Sequence, residues 1–259
     1  MTEPVAVDHE QLRTSFGTAA SSYERGRPAY PDDALDHALA DLGVGRGSVV
    51  LDLAAGTGKL TRQLIDRGVD VVAVEPLEAM RAVLAESVPE ARVIPGAAEA
   101  IPVDDASVDA VTVGQAFHWF DRAAALSEIA RVLRPSGGLL AVWNEADERD
   151  ANAKRLFTEM RTVGNRPETI EIDWRAVFDD SGRFEPARRA RFRWVQELTK
   201  AAIPAMVESR SYVAVLEPAA RVALLDRIAA LIEPWSDPVR LPYITEVYWC
   251  RRISSPTSS

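Results

Sequence analysis

Two carboxylates and a turn of small residues carry the first chemical signal. Ser48-Val49-Val50-Leu51-Asp52-Leu53 is apolar apart from its acid and runs directly into Ala54-Ala55-Gly56-Thr57-Gly58. A turn without large side chains lets backbone press against a ligand. A helix opening at Lys59 would aim unpaired N–H groups at the same place. Val71-Val72-Ala73-Val74 then leads to Glu75, about 20 residues past the turn, where a carboxylate in an open α/β sheet takes the two hydroxyls of a ribose. Strand, small turn, helix, strand and acid together describe a nucleoside half-site.

The details argue against a dinucleotide. That fingerprint places a small residue three positions after its second glycine, to pack helix on strand. Here the third position of Gly56-Thr57-Gly58-Lys59-Leu60-Thr61 is a threonine. Asp52 before the turn would repel a pyrophosphate and would suit a ligand carrying an ammonium or sulfonium. Asp52 is also open to a second reading, as a structural acid of the loop.

These residues resemble the class I S-adenosylmethionine-dependent methyltransferases, whose first motif is an acid followed by alternating small residues. Ala54 stands where that family has its first glycine. Other stretches follow the family in order. Gly96-Ala97-Ala98-Glu99-Ala100-Ile101-Pro102 is similar to its adenine segment, and Val108 through Phe120 to its fourth strand and following loop. Arg131-Val132-Leu133-Arg134-Pro135-Ser136-Gly137-Gly138 is similar to the approach to the fifth strand. The loop Gln115-Ala116-Phe117-His118-Trp119-Phe120 is closest to the small-molecule branch of trans-aconitate and related small-acid methyltransferases. Phe16 through Tyr23 and Arg27-Pro28-Ala29-Tyr30-Pro31 resemble that branch's N-terminal signature.

The resemblance implies S-adenosylmethionine as cofactor, held by Tyr23, Arg27, Asp52, Ala54, Gly56, Gly58, Glu75, Pro76, Ala98, Glu99 and Gln115. The acceptor side would draw on Tyr30, His118 and Trp119, while Trp143, Arg210 and Tyr212 read equally as acceptor contacts or as core and surface residues. Methyl transfer is a displacement at a sulfonium, so alignment and desolvation matter most. An ionised carboxylate needs no base, whereas a hydroxyl or amine benefits from one. His118 is the candidate base, with packing over the adenine or loop as its other role. Oxygen of a small acid or alcohol is the expected acceptor atom. A cofactor-binding protein of a biosynthetic pathway without methyl transfer, and a nicotinamide oxidoreductase, are the alternatives.

The elements that must position these groups alternate. Strands are expected near 48–53, 70–75, 91–94, 108–114 and 138–144, with helices near 58–67, 77–86 and 122–133. Such alternation gives a parallel sheet with right-handed crossovers. Helices are also expected at 8–22, 32–42, 150–162, 200–209 and 218–232, a sixth strand at 186–199, and a last strand at 239–250. The resemblance implies a Rossmann-like seven-stranded mixed sheet whose last strand is antiparallel, between the fifth and sixth. Residues 1–253 read as one domain, with a helical cap at 8–43, variable substrate-side insertions at 146–237, and a disordered tail at 254–259.

Composition bounds the remainder. The 259 residues suffice for one large α/β domain. A net charge of −9 argues against a nucleic-acid groove. The N-terminus has no signal-peptide pattern and no segment reads as a membrane span. One cysteine, Cys250, suits a reducing cytoplasm. His9, His37, His118 and Cys250 give no metal-ligand spacing. Oligomeric state is left open.

Overall fold

The computed structural model describes residues 26–163 and 172–253. The expected helix at 8–22, Tyr23 and the 254–259 tail lie outside the described residues.

Seven strands form one sheet: β1 (Val49–Leu53), β2 (Asp70–Val74), β3 (Arg92–Ile94), β4 (Val108–Gly114), β5 (Leu133–Ala146), β6 (Arg188–Leu198) and β7 (Val239–Arg251). Their order is β3-β2-β1-β4-β5-β7-β6. The first five pair in parallel. Against β5, the Arg252 amide donates to Gly137 O while the Asp147 amide donates to Pro242 O, so β7 runs the opposite way. The bridge Phe184–Arg252 is likewise antiparallel. The mixed seven-stranded sheet, with its last strand inserted between the fifth and sixth, is therefore present.

Helices α1 (Asp32–Leu42), α2 (Lys59–Asp66), α3 (Glu78–Ser87) and α4 (Arg122–Val132) link the parallel strands. Their ends follow local chemistry. Acids Asp32 and Asp33 occupy the first turn of α1, where the helix dipole favours negative charge. Gly43 then ends it in a left-handed cap at φ 71. Asp121 caps α4 by accepting from the amides of Ala123 and Ala124, both at 3.1 Å. Strands β1 and β4 are almost wholly buried, as strands covered on both faces must be.

Contacts divide the described chain into two compact units. The larger gathers residues 29–144, 173–192 and 245–253; the smaller gathers 26–28, 145–163 with 172, and 193–244. The core of the larger unit joins Leu35 and Leu39 of α1, Val50, Leu64, Val71, Leu140 and Trp249. The smaller unit packs α5 (Ala151–Arg161), α7 (Ile203–Glu208) and α9 (Pro218–Ile232) around Met160, Met206, Leu224 and Tyr243.

Three short elements differ from expectation. A 3-10 turn forms at Phe117–Trp119, and one-turn helices form at α6 (Trp174–Asp179) and α8 (Ser211–Ala214). None is long enough to show a period in sequence. Strand β5 begins at Leu133 rather than near 138. Its register against β4 shifts between Val108 and Ala110, and Ser136 takes φ 62. A bulge thus carries the chain through Pro135-Ser136-Gly137 without leaving the sheet.

Gly58 shows how tightly the turn after β1 is built. It has φ 91, and a Cβ there would sit 2.3 Å from Leu84 Cδ1 and 3.1 Å from Val88 Cγ2. Leu84 and Val88 are themselves buried. Gly58→Ala is therefore expected to lower stability by about 1–3 kcal/mol, from a left-handed alanine plus overpacking, read from the urea midpoint. An unchanged midpoint would show that α3 can retreat without loss.

Candidate active site

The strand order reverses between β1 and β4, and open α/β sheets bind ligands at the carboxyl ends of the strands beside such a switch point. Two non-glycine residues with positive φ mark that place. Ala54 follows β1 with φ 55, and Gln115 follows β4 with φ 60. Left-handed conformation costs an L-residue roughly 1–2 kcal/mol. Strain of this kind persists only where surrounding contacts fix it.

The contacts that fix it are visible. Gln115 donates through its backbone N to Val142 O at 2.9 Å and through Nε2 to Asn144 O at 3.2 Å. Asn144 is a buried hub: its Nδ2 donates to Ala29 O at 3.1 Å and its Oδ1 accepts from Thr245 Oγ1 at 2.6 Å. On the β1 side, the Gly56 amide donates to Glu75 Oε2 at 2.9 Å and the Leu77 amide to Oε1 at 2.9 Å. Glu75 is only 4% exposed. Its carboxylate thus clamps the small-residue turn to the end of β2. A carboxylate accepts in about four directions, so this clamp is compatible with taking ribose hydroxyls.

Asp52 lies deeper. Its Oδ2 accepts from Thr61 Oγ1 at 2.6 Å and its Oδ1 from Thr112 Oγ1 at 3.1 Å, with 1% of the residue exposed. It ties β1 to α2 and β4. Burial pushes its carboxyl up to about 7, the two threonine hydroxyls oppose the rise, and the charge of Glu75 adds to it. The threonine that breaks the dinucleotide pattern therefore has a purpose: Thr61 satisfies a buried acid.

Tyr30 is brought to the same strand ends. Its backbone N and O pair with the Gln63 side chain at 3.1 and 2.6 Å. Its hydroxyl occupies the space a Cβ would take at Gly114, 2.6 Å from that position. Pro76 is exposed just beyond Glu75, its carbonyl accepting from Arg81 Nη1 at 2.6 Å. Ala98 is buried, and Glu99 accepts from the Asp121 amide at 2.9 Å, joining the loop after β3 to the start of α4. In the turn after β4, Phe117 is buried, Trp119 is half-buried and His118 is exposed, with the two rings 4.7 Å apart.

Trp143 is placed differently. Successive residues of a strand face opposite sides, and Val142 belongs to the core that contains Tyr30. Trp143 instead stacks on Trp174 of α6 at 4.7 Å and meets Tyr248 edge-on at 5.6 Å, leaving 6% exposed. Its contacts are those of an aromatic core residue.

Arg27, Arg210 and Tyr212 belong to the smaller unit. Arg27 Nε donates to Ser209 O at 3.4 Å. The Arg210 guanidinium lies 5.4 Å over the Phe157 ring. Tyr212 packs against the core of that unit. Sequence reasoning missed Gln63, Thr112 and Asn144; of these Thr112, between Val111 and Val113, carries a signal, a polar side chain amid apolar neighbours. Among the described residues no His, Cys, Asp and Glu cluster could hold a metal, and no helix is long and apolar enough to cross a membrane.

Residues 51–141 match the family model described as a methyltransferase domain. An uncharacterised methyltransferase of Mycobacterium tuberculosis is 43% identical over 249 residues, covering 93% of this chain and 97% of its own. A methyltransferase-like protein of Schizosaccharomyces pombe is 32% identical, covering 90% and 94%. A solved structure from Anaeromyxobacter dehalogenans is 27% identical, covers 88% of this chain and 97% of its own, and superimposes with a TM-score of 0.60. The fold is shared by a Haemonchus contortus phosphoethanolamine N-methyltransferase solved with S-adenosylhomocysteine, at 19% identity and TM-score 0.54, covering 97% and 61%. The chain belongs to the class I S-adenosylmethionine-dependent methyltransferases.

The residues present fit that cofactor. A buried carboxylate ends β2, the turn beside it carries no large side chain, and Gln115 is fixed at the facing strand end. Glu75, Gly56 and the loop after β4 would hold it.

Two outcomes are expected. Asp52 has a carboxyl raised from 3.8 to about 7 by folding. Below about pH 4 both states are protonated and its contribution is full. Between there and about pH 7 only the unfolded state loses its proton, so stability falls as pH rises, by up to about 1.4 kcal/mol per unit. Urea midpoints of the wild type should fall faster than those of Asp52→Asn from pH 5 to 7, then run parallel; parallel curves throughout would refute the assignment. Glu75→Ala should lower both stability and S-adenosylhomocysteine affinity, each by about 1–3 kcal/mol. Unchanged affinity in calorimetry would remove Glu75 from the binding site.

Proposed function

We propose that this enzyme methylates a small molecule on oxygen, at a carboxylate or a hydroxyl. The observation that carries the reading is the loop Gln115–Trp119. Gln115 is held in a strained conformation by Val142 and Asn144, and it presents exposed His118 and half-buried Trp119 at the carboxyl end of β4. S-adenosylmethionine supplies the methyl group when bound.

The chain's own residues have three tasks. Glu75 and the turn at Gly56 fix the nucleoside end. Trp119 and Tyr30 give apolar walls, and aromatic faces attract a cation where water is excluded. His118 takes the proton from a hydroxyl acceptor, since its ordinary pKa is near neutrality. With a carboxylate acceptor no proton need move, and His118 then serves as wall.

The net charge of −9 supports a small acceptor over a nucleic acid, and the lone Cys250 supports a reducing cytoplasm. Cys250 is buried, and burial pushes its thiol well up, so it is a poor nucleophile. The second reading is a cofactor-binding protein without transfer, since transfer to a carboxylate needs no base whose presence would mark it.

Incubation with S-adenosylmethionine and a panel of small acids and alcohols, with S-adenosylhomocysteine as readout, tests both readings. Product formed only with an acceptor present supports transfer. No product with any acceptor, together with tight cofactor binding, supports the second reading. With a hydroxyl acceptor, His118→Ala should lower the rate by roughly 10²–10⁴ while cofactor affinity stays within twofold. Loss of both together would make His118 a packing residue.

A further inference from the structure

Strands β5 and β7 are antiparallel neighbours, and the bonds from the Arg252 amide to Gly137 O and from the Asp147 amide to Pro242 O fix their register. In that register Leu140 faces Trp249, Val142 faces Val247, and Asn144 faces Thr245. The first two pairs are apolar and lie together in the core of the larger unit. The third pair is polar and just as deeply placed, with Thr245 0% and Asn144 5% exposed. It stands toward the carboxyl end of β5, the edge where open α/β sheets place ligands. A valine would fill the place of Thr245 without a hydroxyl to desolvate, so the threonine calls for a polar reason.

That reason is the orientation of an amide. The Ala29 carbonyl can only accept, so the nitrogen of the Asn144 side chain must face it, at 3.1 Å. Oδ1 is then turned toward β7, and the Thr245 hydroxyl must be its donor, at 2.6 Å. Gly137 and Arg252 form a hydrogen-bonded pair. Asn144 and Thr245, an odd number of residues along, are therefore a non-hydrogen-bonded pair, where facing side chains come closest. A side chain pinned at both ends holds its own backbone, and the Asn144 carbonyl is the acceptor for Gln115 Nε2 at 3.2 Å. Gln115 needs such support, because its φ of 60 is costly for a residue with a Cβ. The same amide fixes the carbonyl of Ala29, and with it Tyr30, whose hydroxyl lies against Gly114 at the end of β4. One buried pair thus sets two segments that are distant in the chain and meet at the end of β4.

We propose that Thr245 is a positioning residue for the cofactor site, acting through Asn144 on Gln115 and on Ala29-Tyr30. Being wholly buried, Thr245 acts through this amide and not by contact with a ligand. The last strand of the sheet then contributes to cofactor affinity from inside the sheet, because only a strand beside β5 can set a donor against Asn144. The inference rests on the reading of Gln115 as a cofactor contact.

The full-length protein is titrated with S-adenosylhomocysteine by calorimetry as wild type and as Thr245→Val, Thr245→Ser, Leu140→Val, Gln115→Ala and Glu75→Ala. Thr245→Val should weaken binding about tenfold, the scale of one buried acceptor left unpaired. Thr245→Ser keeps the donor and should bind as the wild type does. Leu140→Val thins the apolar part of the same ladder and should lower the Tm without moving the affinity. In Thr245→Val, hydrogen exchange should quicken at the amides of Tyr30 and Gln115 and stay unchanged at those of Gly56 and Leu77, which Glu75 holds. Wild-type affinity in Thr245→Val, equal weakening in Thr245→Ser or in Leu140→Val, or exchange that rises throughout the larger unit would overturn the positioning role. Weakening by Glu75→Ala and Gln115→Ala, with wild-type affinity in Thr245→Val, would strike that role alone and leave the cofactor site in place. Unchanged affinity in Gln115→Ala would remove Gln115 from the site, and the proposed route with it.

Discussion

The clamp between Glu75 and the turn after β1 is the contact on which the site depends. A buried carboxylate must find donors, and the amides of Gly56 and Leu77 are the donors it finds. That requirement fixes the turn at the end of β1 against the end of β2. It also keeps a buried carboxylate at the end of β2. Without the clamp, the amides of a turn built from alanine, glycine and threonine would have no fixed direction, and no ligand could be held against them.

A second buried acid works differently. Asp52 is held by Thr61 and Thr112 from neighbouring elements. Those two hydroxyls bind β1 to both neighbours at the level of the switch point. The low dielectric that makes the pair of ties strong also raises the carboxyl to about 7. One acid therefore shapes the turn, while the other braces the strand that leads into it. Their charges oppose one another across the same strand end, which accounts for part of the rise at Asp52.

Across the switch point the corresponding work is done by amides. Asn144 gathers Ala29, Thr245 and the side chain of Gln115, while Gln63 holds the backbone of Tyr30. Ala29-Tyr30 and the loop after β4 are thus positioned by neutral hydrogen bonds. These groups are far apart in the chain, and nothing in their local sequence distinguishes them from ordinary surface amides.

The sequence by itself determined the strand and helix order, while the seven-stranded mixed sheet followed from the family resemblance. It also located Glu75 and the small-residue turn, because period, punctuation and spacing are local properties of the chain. The ends of α1, β4 and α9 fall where residue patterns put them, since caps and apolar runs act within a few residues. What only the tertiary structure decided were contacts between distant residues. Trp143 reads in sequence equally as acceptor wall or as core, and it stacks on Trp174 from a helix too short to show a period. Asp52 reads equally as anchor or brace, and its hydrogen bonds to Thr61 and Thr112 join elements far apart in the chain. The left-handed backbone of Ala54 and Gln115 is likewise invisible to residue type, because partners across the sheet, not the residues' own propensities, hold it there.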